Sequence, residues 1–269
     1  MTDTQQRRLF VVLPIYNEVT DLPRLLASLR ETVQGHGMAM TIVAVDDGSS
    51  DGTSQVLARH AAEHGALHII THRRNRGLGE TIRDGFEAAV DLAGDTDIVV
   101  RMDADNSHDP RYLTDLVACI EAGHDVAITS RFAPGGAALG VPGHRAVISR
   151  VANVLFGLLF HVPGVKEYTC GYRAYRAGLL RRAIDVYGNN FIQLKGFGFA
   201  CTLEKLVKLH LLGARVAEVP FTLRYDLKAG NSKMVLNITT LGYGAMVVLH
   251  WWPWGGWKWR DWGVAAGQR

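Results

Sequence analysis

No tryptophan occurs before position 251, and only three cysteines occur in the 269 residues. Cys119, Cys170 and Cys201 are odd in number and have no metal-ligand spacing, which argues against a disulfide framework or a cysteine zinc site. They read as reduced thiols of a cytosolic protein. Net charge is equally scarce. Twenty-nine basic and 26 acidic side chains give +3 and a pI near 8.8, too mild a surplus to suggest a nucleic-acid partner. The eleven histidines are scattered without ligand spacing. The N-terminal MTDTQQRR has no apolar stretch of the kind a cleaved signal peptide needs. Internal repeats are absent, and nothing in the sequence speaks to oligomeric state.

What is present is a βα rhythm. With 48% hydrophobic and 20% charged residues the chain can bury the core of one large α/β domain. LFVVLPIY (9–16) is a continuous apolar run like a buried parallel strand, and LPRLLASLRETV (22–33) follows at helical spacing. TIVAVDDGSSDGT (41–53) reads as a strand entering an acidic, glycine-rich loop, then a helix stopped by Gly65. LHIITH, a helix after GLG, DIVVRMDAD (97–105) and DVAITSRF (125–132) continue the alternation. The pattern predicts a doubly wound, mostly parallel sheet, in which ligands bind at the carboxyl ends of strands. Asn17-Glu18, Asp46-Asp47, Asp103-Asp105 and Arg131 all fall there.

Two carboxylates at a strand end, Asp103 and Asp105, can share one divalent cation, and Mg²⁺ favours such a pair together with phosphate oxygens. A solvated turn is the plainer reading of D-x-D. In Asp46 to Thr53 the glycines permit a tight turn, and Asp51 or Thr53 can cap the next helix. Two adjacent acids exceed what a cap requires, and a carboxylate there can accept from a ribose or a base. Asn75, Gly77 and Gly79 open a helix whose N–H groups can face phosphate, although a plain turn explains them equally well.

P-x-Y-N-E (Pro14–Glu18), D-D-G-S-x-D-G-T (Asp46–Thr53), R-N-x-G-L-G (Arg74–Gly79), D-A-D (Asp103–Asp105) and S-R-F (Ser130–Phe132) occur in this order. S-R-x-A-N (Ser149–Asn153), T-C-G-Y-R (Thr169–Arg173) and an F-x-x-R…G-x-S-K element (Phe221–Lys233) follow. Over residues 9–235 the set resembles a family 2 glycosyltransferase of the dolichyl-phosphate mannose synthase branch.

The resemblance implies a GT-A fold. It places Pro14, Tyr16, Glu18, Val45 and Asp47 around nucleobase and ribose, and Asp103 and Ala104 beside the diphosphate. It assigns Mg²⁺ or Mn²⁺ to Asp103 and Asp105, with Ser107 as a candidate third contact where the family often has Gln. Arg131, Arg224 and Lys233 would meet the phosphates of donor or acceptor. The implied activity is inverting, metal-dependent transfer of a hexosyl unit, mannose from GDP-mannose, to a polyprenyl or dolichyl phosphate. The alternatives are UDP-glucose as donor, a non-lipid hydroxyl acceptor, and a non-catalytic nucleotide-sugar-binding module. Departures from the family pattern are Cys170, Tyr172, Glu167 in place of Asp, and the longer insert YDLKA after Arg224.

Residues 145–162 form an amphipathic helix with Arg145, Ser149, Arg150 and Asn153 along one stripe. A core helix and an interfacial helix both explain it; in the resembling family the segment is interfacial. Met234–Trp257 has no Asp, Glu, Lys or Arg and could just span a bilayer, but Pro253, Gly255 and Gly256 interrupt it. Six tryptophans within 251–262, with Lys258 and Arg260, suit the headgroup region. The expected organisation is a GT-A domain over 1–233, including the amphipathic helix, and a membrane-interface helix with a Trp-rich tail over 234–269. That makes a peripheral or monotopic protein on the cytoplasmic face of a membrane.

Overall fold

Every apolar run named above becomes a strand, and the helical segments after the first three runs pack against the sheet. In the computed structural model, which describes residues 7–227 and 236–250, β1 (Leu9–Ile15), β2 (Met40–Asp46), β3 (Leu67–Thr71), β4 (Ile98–Arg101) and β5 (Val126–Ser130) come first. They alternate with α1 (Leu22–Gly35), α2 (Thr53–His64), α3 (Leu78–Leu92) and α4 (Leu113–Glu121). A short β6 (Ala137–Leu139) precedes α5 (Gly143–Phe160). Then follow β7 (Arg173–Arg176), α6 (Ala177–Tyr187), α7 (Ala200–Leu211), β8 (Val216–Pro220), β9 (Thr222–Arg224) and α8 (Leu236–His250).

The main sheet has the order β3-β2-β1-β4-β7-β5-β8, with only β7 antiparallel to its neighbours. A separate pair joins β6 to β9. Both faces of the main sheet are covered. Phe10 and Val12 point into a core with Phe86 of α3, Leu180 of α6 and Leu203 of α7. Leu9, Val11 and Leu13 point into the other, with Leu25 of α1 and Leu116 of α4. Double burial explains why β1 reads as an unbroken apolar run. The winding reverses between β1 and β4, so the loops leaving them diverge and open a crevice at their carboxyl ends.

Two details differ from the sequence reading. β4 stops at Arg101, four residues before Asp105, because the acidic segment turns away from the sheet. Asn106 takes a positive φ of 59°, and its amide donates to the carbonyl and to Oδ1 of Asp21, each at 2.9 Å. The glycine-rich segment after residue 135 contains β6. Gly48 has φ +73°, and a Cβ there would lie 2.6 Å from the Arg74 carbonyl carbon, so glycine is required where these two loops cross.

No helix among the described residues is long and apolar enough to cross a membrane. Lys233 and the Trp-rich segment 251–269 lie outside the described residues.

Candidate active site

The loops after β1 and β2 are bound into one unit. The Asn17 N–H donates to Ser49 Oγ at 2.8 Å, and the Ser50 N–H to Asn17 Oδ1 at 2.8 Å. The Glu18 N–H donates to Thr53 Oγ1 at 2.9 Å, and the Val19 N–H to Asp51 Oδ2 at 3.1 Å. Asp51 and Thr53 thus join two loops, and Asp51 Oδ1 also accepts from the Thr53 N–H, the first amide of α2, at 3.0 Å, while Gly52 between them has no side chain to cap the helix. Tyr16 is exposed at the rim, with Pro14 and Glu18 half-buried beside it. Val45 is fully buried and its side chain faces Gly85 of α3, so only its main chain can take part in binding.

Asp47 is buried, and both of its oxygens are engaged. Oδ1 accepts from the Arg76 N–H at 2.8 Å and lies 2.6 Å from His72 Nδ1, while Oδ2 accepts from the Gly77 N–H at 2.9 Å. His72 Nε2 lies 2.9 Å from Asp84 Oδ2, which also accepts from Arg76 Nη1 at 2.6 Å. Asp47 therefore holds the R-N-x-G-L-G loop against the end of β2. His72 had no part in the sequence reading; a polar residue closing the strand LHIITH was its one signal.

Beyond β4 stand the paired acids. The Asp103 N–H donates to His108 Nδ1 at 2.9 Å, which places the ring proton on Nε2, 3.6 Å from Asp103 Oδ2. Asp103 Oδ1 is ion-paired with Arg101. Asp105 Oδ1 accepts from the Ser107 hydroxyl at 2.5 Å and the Ser107 N–H at 3.1 Å, so Ser107 steadies Asp105. Ala104 is buried between them. No cluster of three His, Cys, Asp or Glu stands in metal-binding array among the described residues. Two hard carboxylates without a closed cage fit Mg²⁺ or Mn²⁺, which also takes substrate phosphate oxygens.

Opposite, at the end of β5, Arg131 forms a forked pair with Glu167. Its Nε donates to Oε2 and its Nη2 to Oε1, both at 2.8 Å. Nη2 also reaches Thr169 Oγ1 at 3.0 Å and Ser149 Oγ of α5 at 3.2 Å. Glu167 is fully buried. Burial pushes its pKa up, but the Arg131 charge and hydrogen bonds from Arg131, Thr169 and Cys170 outweigh this and hold it below the usual carboxylate range. Arg131 Nη1 makes no hydrogen bond among the described residues. Asn153 Nδ2 donates to Thr169 Oγ1 at 3.2 Å and its Oδ1 accepts from the Tyr168 N–H at 2.5 Å, tying S-R-x-A-N to T-C-G-Y-R. The Arg224 N–H donates to the Ser107 carbonyl at 3.2 Å, which brings β9 to the acidic loop, and its guanidinium pairs with Asp226 at 2.8 Å.

Three buried cations, Arg101 on β4 and Lys205 and Lys208 on α7, had no part in the sequence reading. A charge inside DIVVRM was the signal for the first; the two lysines had none.

The profile of the family described as Glycosyl transferase family 2 matches residues 10–184, more than half of the chain. An undecaprenyl-phosphate mannosyltransferase of Micrococcus luteus is 35% identical over 246 residues, spanning 88% of this chain and 95% of that protein. A polyprenol monophosphomannose synthase of Mycolicibacterium smegmatis is 35% identical over 230 residues, spanning 85% and 81% of the two chains. Among solved structures, glucosyl-3-phosphoglycerate synthase of Mycobacterium tuberculosis in complex with Mn²⁺ and UDP-glucose superposes with a TM-score of 0.59. That match covers 90% of this chain and 78% of the other at 18% identity, and shows a shared fold. The chain belongs to glycosyl transferase family 2 and is a glycosyltransferase.

Proposed function

We propose that this glycosyltransferase moves a mannosyl unit from GDP-mannose to a polyprenyl phosphate, with inversion at the anomeric carbon, while resting on the cytoplasmic face of a membrane. The observation that carries the reading is the two-sided character of α5. Val147, Val151, Val154 and Leu158 are 61–78% exposed on its outer side. Ser149 and Asn153 on its inner side bond to Arg131 and Thr169. One helix thus offers an apolar face to acyl chains and touches the candidate phosphate-binding arginine. Its Phe156 meets Tyr243 of α8 with ring centroids 4.8 Å apart, and Leu241 and Val248 extend the exposed apolar surface. The segment 234–269 would complete the membrane interface, and the domain over 1–233 the catalytic unit.

The names of the similar mannosyltransferases and synthases support a lipid phosphate as acceptor. So does the state of two buried carboxylates that a hydroxyl acceptor would call on as general base. Glu167 is committed to Arg131. Glu204 is committed to Lys208 at 2.6 Å and to the N–H groups of Gln193 and Leu194. A lipid phosphate needs no base, because its second pKa of roughly 6 leaves it mostly dianionic near neutrality.

In the proposed reaction the acceptor phosphate oxygen displaces the nucleoside diphosphate from the face opposite the leaving group. Arg131, held by Glu167, presents Nη1 to a phosphate, and Arg224 and Lys233 add positive charge. Asp103 and Asp105 would hold the divalent cation, which neutralises charge on the leaving diphosphate. Pro14, Tyr16, Glu18 and the loop held by Asp47 would enclose the nucleoside.

A labelled-donor panel tests this. GDP-mannose and UDP-glucose are each offered with undecaprenyl and dolichyl phosphate, and label is counted in the organic phase. Label from GDP-mannose is expected. Label from UDP-glucose alone would reject the sugar, and only water-soluble products would reject the lipid acceptor.

A further inference from the structure

We propose that Arg101 is a positioning residue that makes cation binding at Asp103 and Asp105 depend on the nucleotide. The proposal rests on the reading of those two aspartates as the cation site. Arg101 is the last residue of β4 and is fully buried, on the strand face shared by Val99 and the α3, α6 and α7 core. Its guanidinium turns to Asp103 Oδ1, which is its one ion pair among the described residues. Nε and Nη1 have no hydrogen-bond partner there. A buried guanidinium with two unmet donors is a net burden on folding, so stability does not explain its presence.

The surroundings add positive charge. Arg173 stands directly opposite Arg101 in the β4–β7 register and spends its donors on the carbonyls of Cys170, Thr202 and Tyr168. Lys205 lies above, its Nζ 5.1 Å from the Phe86 ring centroid. Burial, with Arg101 and Arg173 adding to it, pushes the Lys205 pKa down to about 7. Glu204 is already taken by Lys208. Space for the guanidinium is reserved by Gly171, since any Cβ at that position would overlap Nη1. The glycine of T-C-G-Y-R and the arginine of β4 are therefore one device.

Its consequence is electrostatic. Two aspartates would offer a cation two negative charges. With Arg101 paired to Asp103, half of that charge is cancelled and one oxygen of Asp103 is committed. Cation affinity follows the charge and number of oxygen ligands, so the aspartates alone hold a free ion weakly. A nucleoside diphosphate restores both charge and oxygens, and the ion then enters with the donor.

Mn²⁺ binding to the full chain, read by EPR with and without GDP, tests this on the wild type, Arg101→Met and Arg101→Lys. The wild type is expected to bind Mn²⁺ at least tenfold more tightly with GDP than without. Arg101→Met should bind Mn²⁺ alone at least tenfold more tightly than the wild type does, while Arg101→Lys, which keeps the charge, should stay near the wild type. Circular dichroism confirms folding, and Arg101→Gln replaces the Met variant if that one fails to fold. A folded neutral variant with wild-type affinity for Mn²⁺ alone, alongside GDP-dependent binding by the wild type, would overturn the role of Arg101 only. Absence of Mn²⁺ binding by the wild type with GDP would overturn the cation site itself, and this proposal with it.

Discussion

Glu167 accepts two parallel hydrogen bonds of 2.8 Å from Nε and Nη2 of Arg131, and Nη2 also reaches Ser149 on α5. Glu167 is fully buried and Arg131 mostly so, and removing the carboxylate charge leaves the guanidinium uncompensated. Glu167→Gln should destabilise the fold by about 3–5 kcal/mol in thermal or denaturant unfolding. It should also lower transfer activity by releasing Arg131.

Acidity reports on the same pair. Glu167 has a pKa below its ordinary 4.5 in the folded state, so its contribution is present above that value and is lost as pH falls through the lower folded one. Unfolding measured between pH 5 and 2 should show a steeper loss for the wild type than for Glu167→Gln. Parallel profiles would contradict the assignment.

Lys205 titrates with the opposite consequence. Its folded pKa of about 7, against an ordinary 10.5, means the folded protein binds fewer protons than the unfolded chain between those values. Stability from this group therefore rises as pH increases from 7 toward 10.5. Lys205→Met should stabilise the protein near pH 6 by on the order of 4 kcal/mol, and the gain should fade toward pH 10.5. A gain independent of pH would show that packing alone is responsible.

His72 bridges Asp47 and Asp84, so His72→Ala should loosen the loop over Arg74–Gly79. GDP affinity measured by calorimetry should fall about tenfold, equivalent to about 1.4 kcal/mol. Unchanged affinity would separate this network from nucleotide binding.

The sheet was legible because its strands are buried on both faces, which leaves continuous apolar runs at βα spacing. The placement of Arg131 directly after β5, and of Asp103 and Asp105 in the loop leaving β4, was legible for the same reason, although the end of β4 at Arg101 was not. β7 was not: RAYR carries no strand pattern, and its partners β4 and β5 lie far away in sequence. Arg101 passed as part of an apolar run, since its meaning depends on Asp103, Arg173 and Gly171 converging in space. The resemblance places Asp47 around nucleobase and ribose; that its oxygens also hold His72 and two loop amides depends on a partner 25 residues away.

The outer face of α5 gives a separate test. Val151→Glu with Leu158→Glu should sharply reduce flotation with anionic liposomes while changing stability by no more than about 0.5 kcal/mol per site. Truncation after His250 should weaken flotation further, and undiminished binding would refute an anchoring role for the tail.

The most direct measurement is transfer of radiolabelled mannose from GDP-mannose to undecaprenyl phosphate in vesicles, with Asp105→Asn as control. The expected result is a mannosylated lipid in the organic phase for the wild type, reduced at least a hundredfold in the variant, equivalent to about 2.7 kcal/mol of lost transition-state stabilisation. Equal label from Asp105→Asn would contradict the role of the paired acids, and no lipid-borne label from the wild type would contradict the proposed function itself.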